Sequence, residues 1–450
     1  MIAITSAWLA RLRSNRYVYS IVMLVSGTGL GHLLTFLSLP ILTRHFSPND
    51  FEVLGVFVAI VALLSSAACC RFEIAIPLPK RDKNALTLFL LSLICTTIIS
   101  LLSLILILIF ESKILEASSV PVFILYLVPI GVFCAATFNA LQFWATREKA
   151  FDLVAKTRVS QAVAGNGTQL LAAFLSIPSG LVFGQLLNYV SGIFSTSKYL
   201  LTHHGQVLKT IKKKHLYFIA RRYRQYPQLS TFEVLANNGG IQLPIVLIAY
   251  FVVGPEAGYL FLALKILQVP MALIGGSIAQ VFYAEVAKAS KDQVAMITEK
   301  NLLSLLKLGV GPLIFIGCTA EVFSGYIFGD GWRRTGEIMM ILTPWFALQF
   351  LASPISMIMH VNNAQKQMLC LTLFGFAIRI GSLIFAYFVF SDHYTEFLGL
   401  ACAVFYLICL ITFSYKSNVS YYRLLGQAAI PIGIVFLWAI LAVAVRGVFL

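Results

Sequence analysis

Charge is scarce in this chain, and acidic charge is the scarcer kind: 18 Asp and Glu stand against 33 Lys and Arg, together 11% of 450 residues. With 59% hydrophobic residues and a mean hydropathy of +0.88, the chain is too apolar for a soluble globular protein. It reads as a polytopic membrane protein. No long polar stretch is available to form an extramembrane domain, and no Walker A glycine loop is present, which leaves no site for nucleotide hydrolysis. The eight cysteines (Cys69, Cys70, Cys95, Cys134, Cys318, Cys370, Cys402, Cys409) all fall inside apolar stretches. There they read as small packing residues, not as disulfides or a metal site.

What the chain has in quantity is long apolar runs. A bilayer core takes roughly 20 apolar residues per helix. Thirteen such runs stand at about 18–43, 52–76, 85–110, 120–146, 153–176, 180–202, 228–252, 258–284, 300–328, 337–361, 367–391, 396–416 and 425–449. The start MIAITSAWLARLRSNR leads into a run too long for a cleaved signal peptide, so the first span is expected to stay as a signal anchor. The last run, 425–449, is read either as a full span or as a re-entrant segment.

Orientation follows from Lys and Arg counted on alternating loops. One set carries Arg11, Arg13 and Arg16; Lys80, Arg81 and Lys83; Arg147, Lys149 and Lys156; Lys209, Lys212, Lys213, Lys214, Arg221, Arg222 and Arg224; and Lys416 and Arg423. This set is expected to be cytoplasmic, with the N-terminus inside and Leu450 outside. The opposite loops hold Glu111, Lys113 and Glu116, the uncharged SIPSG, VGPEAG, and Ser391-Asp392-His393, with Arg333 and Arg334 as the main exception. The net charge of +15 sits largely in the cytoplasmic loops and points to anionic lipid headgroups as partners, not nucleic acid. The longest loop, 203–227, has seven Lys/Arg, no acid and interspersed Leu208, Ile211, Leu216, Phe218 and Ile219. It suits an interfacial amphipathic helix, or a linker that only fixes topology.

That basic loop divides two similar halves. LPILTRHFSP begins at Leu39 and LPIVLIAYFVVGP at Leu243, so the two Leu-Pro-Ile units lie 204 residues apart. The expected architecture is therefore all-α: an N-terminal six-helix lobe over 1–202, a basic cytoplasmic linker over 203–227, and a C-terminal six-helix lobe over 228–416. An extra C-terminal transmembrane helix follows over 417–450. Both halves have an even number of spans, so an axis along the membrane normal would relate them, as in alternating-access transporters with a central cavity.

Two cations stand deep in apolar runs that contain no acid: Lys265 in YLFLALKILQVPMALIGG and Arg379 in LFGFAIRIGSLIFAYFVF. A charge at bilayer depth is costly enough to read as functional by default. Lys265 is seven residues past Gly258, roughly 10 Å along a helix, and shares a small or polar face with Gln268, Ala272, Gly275, Gly276 and Ala279. It either borders a wet cavity or snorkels to the interface. Arg379 is twelve residues from Ser391 and thirteen from Lys366, beyond snorkelling reach. It either meets an anionic substrate or has a buried partner such as a carbonyl, Glu321 or Glu233. Arg44, Arg158 and Lys307 are weaker candidates nearer span ends. Asn139 with Gln142, Asn166 with Gln169, and Asn238 with Gln242 share helix faces, fit either to line a sugar-binding cavity or to bond between helices. Glu233 and Glu321 are the acids inside spans of the second half and the natural proton or sodium sites. Pro129, Pro244, Pro270, Pro312, Pro344 and Pro354, with Gly239-Gly240 and Gly275-Gly276, mark kinks or hinges.

The segment LPILTRHFSPNDFEVLGVFVAIVALLSSAACCRFEIAIPLPKRDKNA (39–85) resembles the opening of the polysaccharide-transporter, or Wzx-type oligosaccharide flippase, family. A second match covers 243–290, with Gly258-Tyr259, a basic residue at 265 three before Gln268, then Pro270 and Gln280-Val281-Phe282. Glu52 in place of the usual glycine, the more basic loop KRDKN and the thirteenth span depart from the pattern. The resemblance places the chain in the superfamily of multidrug exporters and lipid-linked oligosaccharide flippases, with a V-shaped, two-lobed fold. It implies movement of an undecaprenyl-diphosphate-linked oligosaccharide across the bacterial inner membrane for O-antigen or capsule assembly, with polysaccharide polymerase and chain-length machinery as partners. It also makes Arg71 and Glu73 gate or fold residues, and no catalysis or cofactor is expected beyond proton or sodium coupling. The competing readings are a cation-coupled multidrug exporter, which would favour cavity carboxylates, and a membrane polysaccharide polymerase or ligase, which would need a long outer loop. A scaffold would leave Arg379 unexplained.

Overall fold

The computed structural model describes residues 16–117, 120–286, 289–362, 364–390 and 393–449. Arg11, Arg13, Ser391, Asp392 and Leu450, used in the orientation count, lie outside the described residues. All regular structure among the described residues is helical: α1 Arg16–His45, α2 Pro48–Ala68, α3 Phe72–Ala75, α4 Asp82–Ala117, α5 Val122–Arg147, α6 Phe151–Phe174, α7 Gly180–Lys209 and α8 Lys213–Arg222. Next in the chain come α9 Thr231–Phe251, α10 Glu256–Pro270, α11 Gly276–Val286, α12 Lys291–Leu305, α13 Gly311–Phe328, α14 Arg333–Ile355, α15 Ile358–Val361, α16 Gln365–Val389, α17 Tyr394–Lys416 and α18 Tyr421–Phe449. Each of the thirteen apolar runs is mostly helix among the described residues. Nine helices among the described residues are long and apolar enough to cross a membrane.

One span boundary and one helix face differ from the sequence reading. The second span, expected over 52–76, stops as a helix at Ala68, because Cys70 and Arg71 take φ of 49° and 59° and reverse the chain before the one-turn α3. Elsewhere three wide π-type turns interrupt otherwise continuous helix, at Tyr226–Ser230, Met271–Gly275 and Leu306–Val310. A π-type turn holds one residue more than an α turn, which rotates the next stretch of helix by about 100°. The face expected to run from Lys265 and Gln268 through Ala279 is therefore broken at Met271–Gly275.

The chain divides into two compact units, Met1–Leu42 with Phe57–Leu235, and Thr43–Val56 with Ala236–Leu450. In the first, α6 and α7 form a tight hairpin: Asn188 donates to the Gln161 carbonyl at 3.0 Å and Gln169 to the Leu181 carbonyl at 2.9 Å. Asn166 donates to the Thr35 hydroxyl on α1 at 3.0 Å. Asn166 and Gln169 thus bond between helices. At one end of this unit Arg147 holds the loop before α4, through the Pro79 carbonyl and Asp82 at 2.7 Å. His215 on α8 meets Asn84 at 3.0 Å and Ile219 is fully buried, which leaves Tyr217, Phe218, Lys213, Lys214, Arg221 and Arg222 exposed.

In the second unit the segment Thr43–Val56 is fixed by aromatic and backbone contacts. The Trp332 indole donates to the Thr43 carbonyl at 2.8 Å, and Phe51 meets the Trp332 ring edge-on at 4.9 Å. Gly258 sits against the Pro48 carbonyl, where an added Cβ would collide with backbone. A core of Phe282, Leu302, Ile355, Met359, Phe405 and Phe413 joins α11, α12, α14, α15 and α17. The terminal α18 packs on α13, with Trp438 against Gly311 and 5.4 Å from the Phe315 ring.

Candidate substrate-contact sites

Arg379 is 4% exposed in the middle of α16. Its guanidinium lies 4.5 Å from the Phe405 ring centroid and 5.6 Å from that of Tyr406, and its Nε donates to Cys402 Sγ at 3.3 Å. These three side chains, at i, i+3 and i+4, form one stripe on α17. From the other side α9 comes close at Gly240, where a Cβ would stand only 3.1 Å from Arg379 Nη1, and Gly239 faces Phe376. The Gly239-Gly240 pair, expected as a kink or hinge, is thus what lets α9 approach the charge. No carboxylate lies within ion-pair distance of Arg379 among the described residues. Burying a charge without a counter-ion costs several kcal/mol, and stacking on two desolvated rings returns about 2 kcal/mol. Asn238 and Gln242, half-buried, flank the glycine pair on α9.

The carboxylates weighed as partners for Arg379 are engaged or exposed elsewhere. Glu321 on α13 pairs with Arg446 in the last turns of α18, whose other nitrogen reaches Met340 Sδ at 3.3 Å. Glu233 is exposed in the first turn of α9 and belongs with the first unit. Sequence reasoning passed over Arg446. Its signal was a lone cation near the end of an apolar run that holds no acid.

Lys265 on α10 is half-buried, with Nζ 4.9 Å from the Phe261 ring centroid one turn back. Helical side chains lean toward the N-terminus, which carries the ammonium back over the Phe261 ring. No carboxylate pairs with it among the described residues, and Gln268 one turn on is exposed.

The first unit has a comparable arrangement. Arg158 on α6 donates from Nη2 to Gln142 Oε1 on α5 at 3.1 Å and lies 5.6 Å from the Phe138 ring centroid. Asn139 stands one turn before Gln142 on the same face. The structure therefore brings Arg158 and Gln142 together, with a neutral amide and the Phe138 ring beside the cation.

The remaining candidates separate by role. Arg44 donates to the Tyr326 carbonyl at 3.2 Å near the C-terminal end of α13, a favourable place for a cation. Lys307 is exposed in the wide turn before α13 and lines a cleft with Lys300 and Arg423. Arg71 meets Glu73 at 3.5 Å, and Arg71 Nε and Glu73 Oε2 are buried without partners among the described residues. Arg334, which ran against the loop count, is neutralised locally: Glu256 and Glu337 each lie 2.8 Å away and Glu396 3.7 Å.

Among proteins of known structure, the lipid II flippase MurJ in an inward closed conformation superposes with a TM-score of 0.68 at 13% identity, covering 96% of this chain and 99% of that one. An inward-facing multidrug resistance MATE family transporter of the MOP superfamily gives 0.61 at 14% identity, over 88% of this chain and 95% of that one. A MOP superfamily transporter from Pyrococcus furiosus, described by the reverse polarity of its binding pocket, gives 0.57 at 15%, over 91% and 96%. At these identities the likeness is one of fold. No curated protein matches the sequence significantly. Residues 41–337 match the family described as polysaccharide biosynthesis protein. They run from the end of α1 to the start of α14, and the chain is a member of that family, built on the helical fold of the MOP superfamily transporters.

Proposed function

We propose that this chain is a flippase that carries an undecaprenyl-diphosphate-linked oligosaccharide from the cytoplasmic to the periplasmic leaflet of the bacterial inner membrane, for O-antigen or capsule assembly. One observation carries the reading: Arg379 is a buried guanidinium that meets Phe405, Tyr406 and the Cys402 thiol and, among the described residues, no carboxylate. Such a group is short of an anion, and a diphosphate is the anion a guanidinium binds best, through paired charge-assisted hydrogen bonds. Arg158 and Lys265 offer further cationic contacts, neither with a carboxylate partner among the described residues. Asn139, Gln142, Asn238, Gln242 and Gln268 offer amides of the kind that bond sugar hydroxyls.

An exporter of organic cations would use the opposite chemistry, free carboxylates on the path, whereas Glu321 here is held by Arg446. Coupling to a proton or sodium gradient falls to Glu321, whose carboxylate would trade its arginine partner for the ion. The test is translocation of a lipid-linked oligosaccharide by the purified protein in vesicles, wild type against Arg379→Ala and Lys265→Ala. Loss of translocation at normal folded yield supports the reading. Full translocation by both variants removes these residues from the mechanism.

A further inference from the structure

Lys307 entered as a weak contact for the transported molecule, but its surroundings fit a different ligand. A cleft of about 550 Å³ opens between α12 with its following wide turn and the N-terminal part of α18. Lys300 and Lys307 line it from one side, Arg423 and Gln427 from the other. Lys300 stands on α12 and Lys307 in the wide turn that follows it, and both reach the same cleft. One carboxylate shares the cleft. Glu299 is 4% exposed, accepts the Ser420 amide at 3.1 Å and stands 3.9 Å from Arg423. It offsets one cation and anchors the start of α18, leaving both lysines exposed and without a carboxylate partner among the described residues.

Apart from Ser304 the rest of the wall is apolar, with Met296, Leu303, Pro431 and Ile430, the last 72% exposed, and Leu308, directly after Lys307 in the chain, is 73% exposed. A pocket with two free ammonium groups at one side and an open apolar rim at the other matches an amphiphile with an anionic head. A soluble anion would gain nothing from the rim. The loops beside it, before α12 and before α18, fall on the side to which the Lys/Arg count assigns the cytoplasm, the leaflet surface at which basic pockets between helices meet anionic lipid.

We infer that this cleft binds the headgroup of an anionic phospholipid of the surrounding bilayer, with Lys300 and Lys307 on the phosphate and the acyl chains lying along Ile430 and Leu308. The site is built by α18, the helix beyond the twelve-span core, and gives that helix a role. The inference does not rest on the identity of the transported molecule, since Arg379 is set on α16 against α17 and α9.

The test is native mass spectrometry of the full-length protein, titrated with dioleoyl phosphatidylglycerol and, separately, with dioleoyl phosphatidylcholine. Each lysine or arginine near a membrane surface is worth about fivefold in binding, so Lys300→Gln, Lys307→Gln and Arg423→Gln together should weaken the tightest phosphatidylglycerol site on the order of a hundredfold. A variant with Lys212, Lys213 and Lys214 changed to Gln should leave that site unchanged. Should the triple variant fold poorly, Lys300→Gln alone, at an exposed position, should still cost about fivefold. Equal retention of phosphatidylcholine, or wild-type phosphatidylglycerol binding by the cleft variants, overturns the inference. Displacement of the lipid by millimolar inorganic phosphate overturns it too, by showing a simple anion site.

Discussion

Replacing Arg379 by methionine separates a charge kept for function from one kept for structure. Methionine fills a similar length, and the guanidinium it removes is 4% exposed with no carboxylate partner among the described residues. Exchanging buried charge for well-packed apolar side chains is often neutral or stabilising by about 1–4 kcal/mol. Against this stands the loss of the stacking on Phe405 and Tyr406, about 2 kcal/mol when desolvated. The balance runs from a loss of about 2 to a gain of about 2 kcal/mol, visible in detergent as an unfolding temperature that moves by only a few degrees either way. Translocation should move the other way. A hydrogen bond to a charged group contributes about 1.5–3 kcal/mol, so losing the phosphate contact should slow flipping roughly tenfold to a hundredfold in vesicles. Arg379→Lys keeps the charge but not the planar fork and should fall between. A destabilisation of about 3 kcal/mol or more by methionine, with flipping intact, would refute the reasoning and make Arg379 a structural residue.

Gly240→Leu should mimic the Arg379 defect without touching the arginine, because its Cβ alone would stand 3.1 Å from Nη1; flipping assays on folded protein check this. Arg158→Leu leaves the Gln142 amide without its donor, and slower flipping with intact folding is expected if the pair contacts cargo, whereas a lowered unfolding temperature alone would mark it as structural. Arg334→Ala leaves Glu256, Glu337 and Glu396 facing one another, and a loss of about 2–3 kcal/mol in unfolding experiments is expected, reduced when Glu256 is also changed to Gln. Gly258→Val meets the Pro48 carbonyl and should sharply lower the yield of folded protein in the membrane fraction.

Much of the fold was legible because lipid demands apolar runs of fixed length, and each of the thirteen runs is mostly helix among the described residues. The wide turns at Met271–Gly275 and Leu306–Val310 were not, since a π-type turn has the same apolar composition as the helix around it. That is why the face from Lys265 to Ala279 was drawn too long. Single buried cations stand out by cost alone, and so Arg379 was legible. Its partners were not, because Cys402, Phe405 and Tyr406 read as ordinary core residues of another helix, and because the Arg446–Glu321 pair joins residues 125 positions apart. The two arginines after Gly331 looked like exceptions to the charge rule for the same reason: the carboxylates that match Arg334 come from three helices, α10, α14 and α17.

The central claim is that buried cations move an anionic lipid-linked glycan across the bilayer. Purified protein in sealed vesicles, loaded with a fluorescent undecaprenyl-diphosphate oligosaccharide and probed with a membrane-impermeant glycan-modifying reagent, tests it directly. The account expects the wild type to expose the initially protected glycan within the assay, and Arg379→Met to leave it protected. Glycan that stays protected with folded wild-type protein, while organic cations are transported, would contradict it.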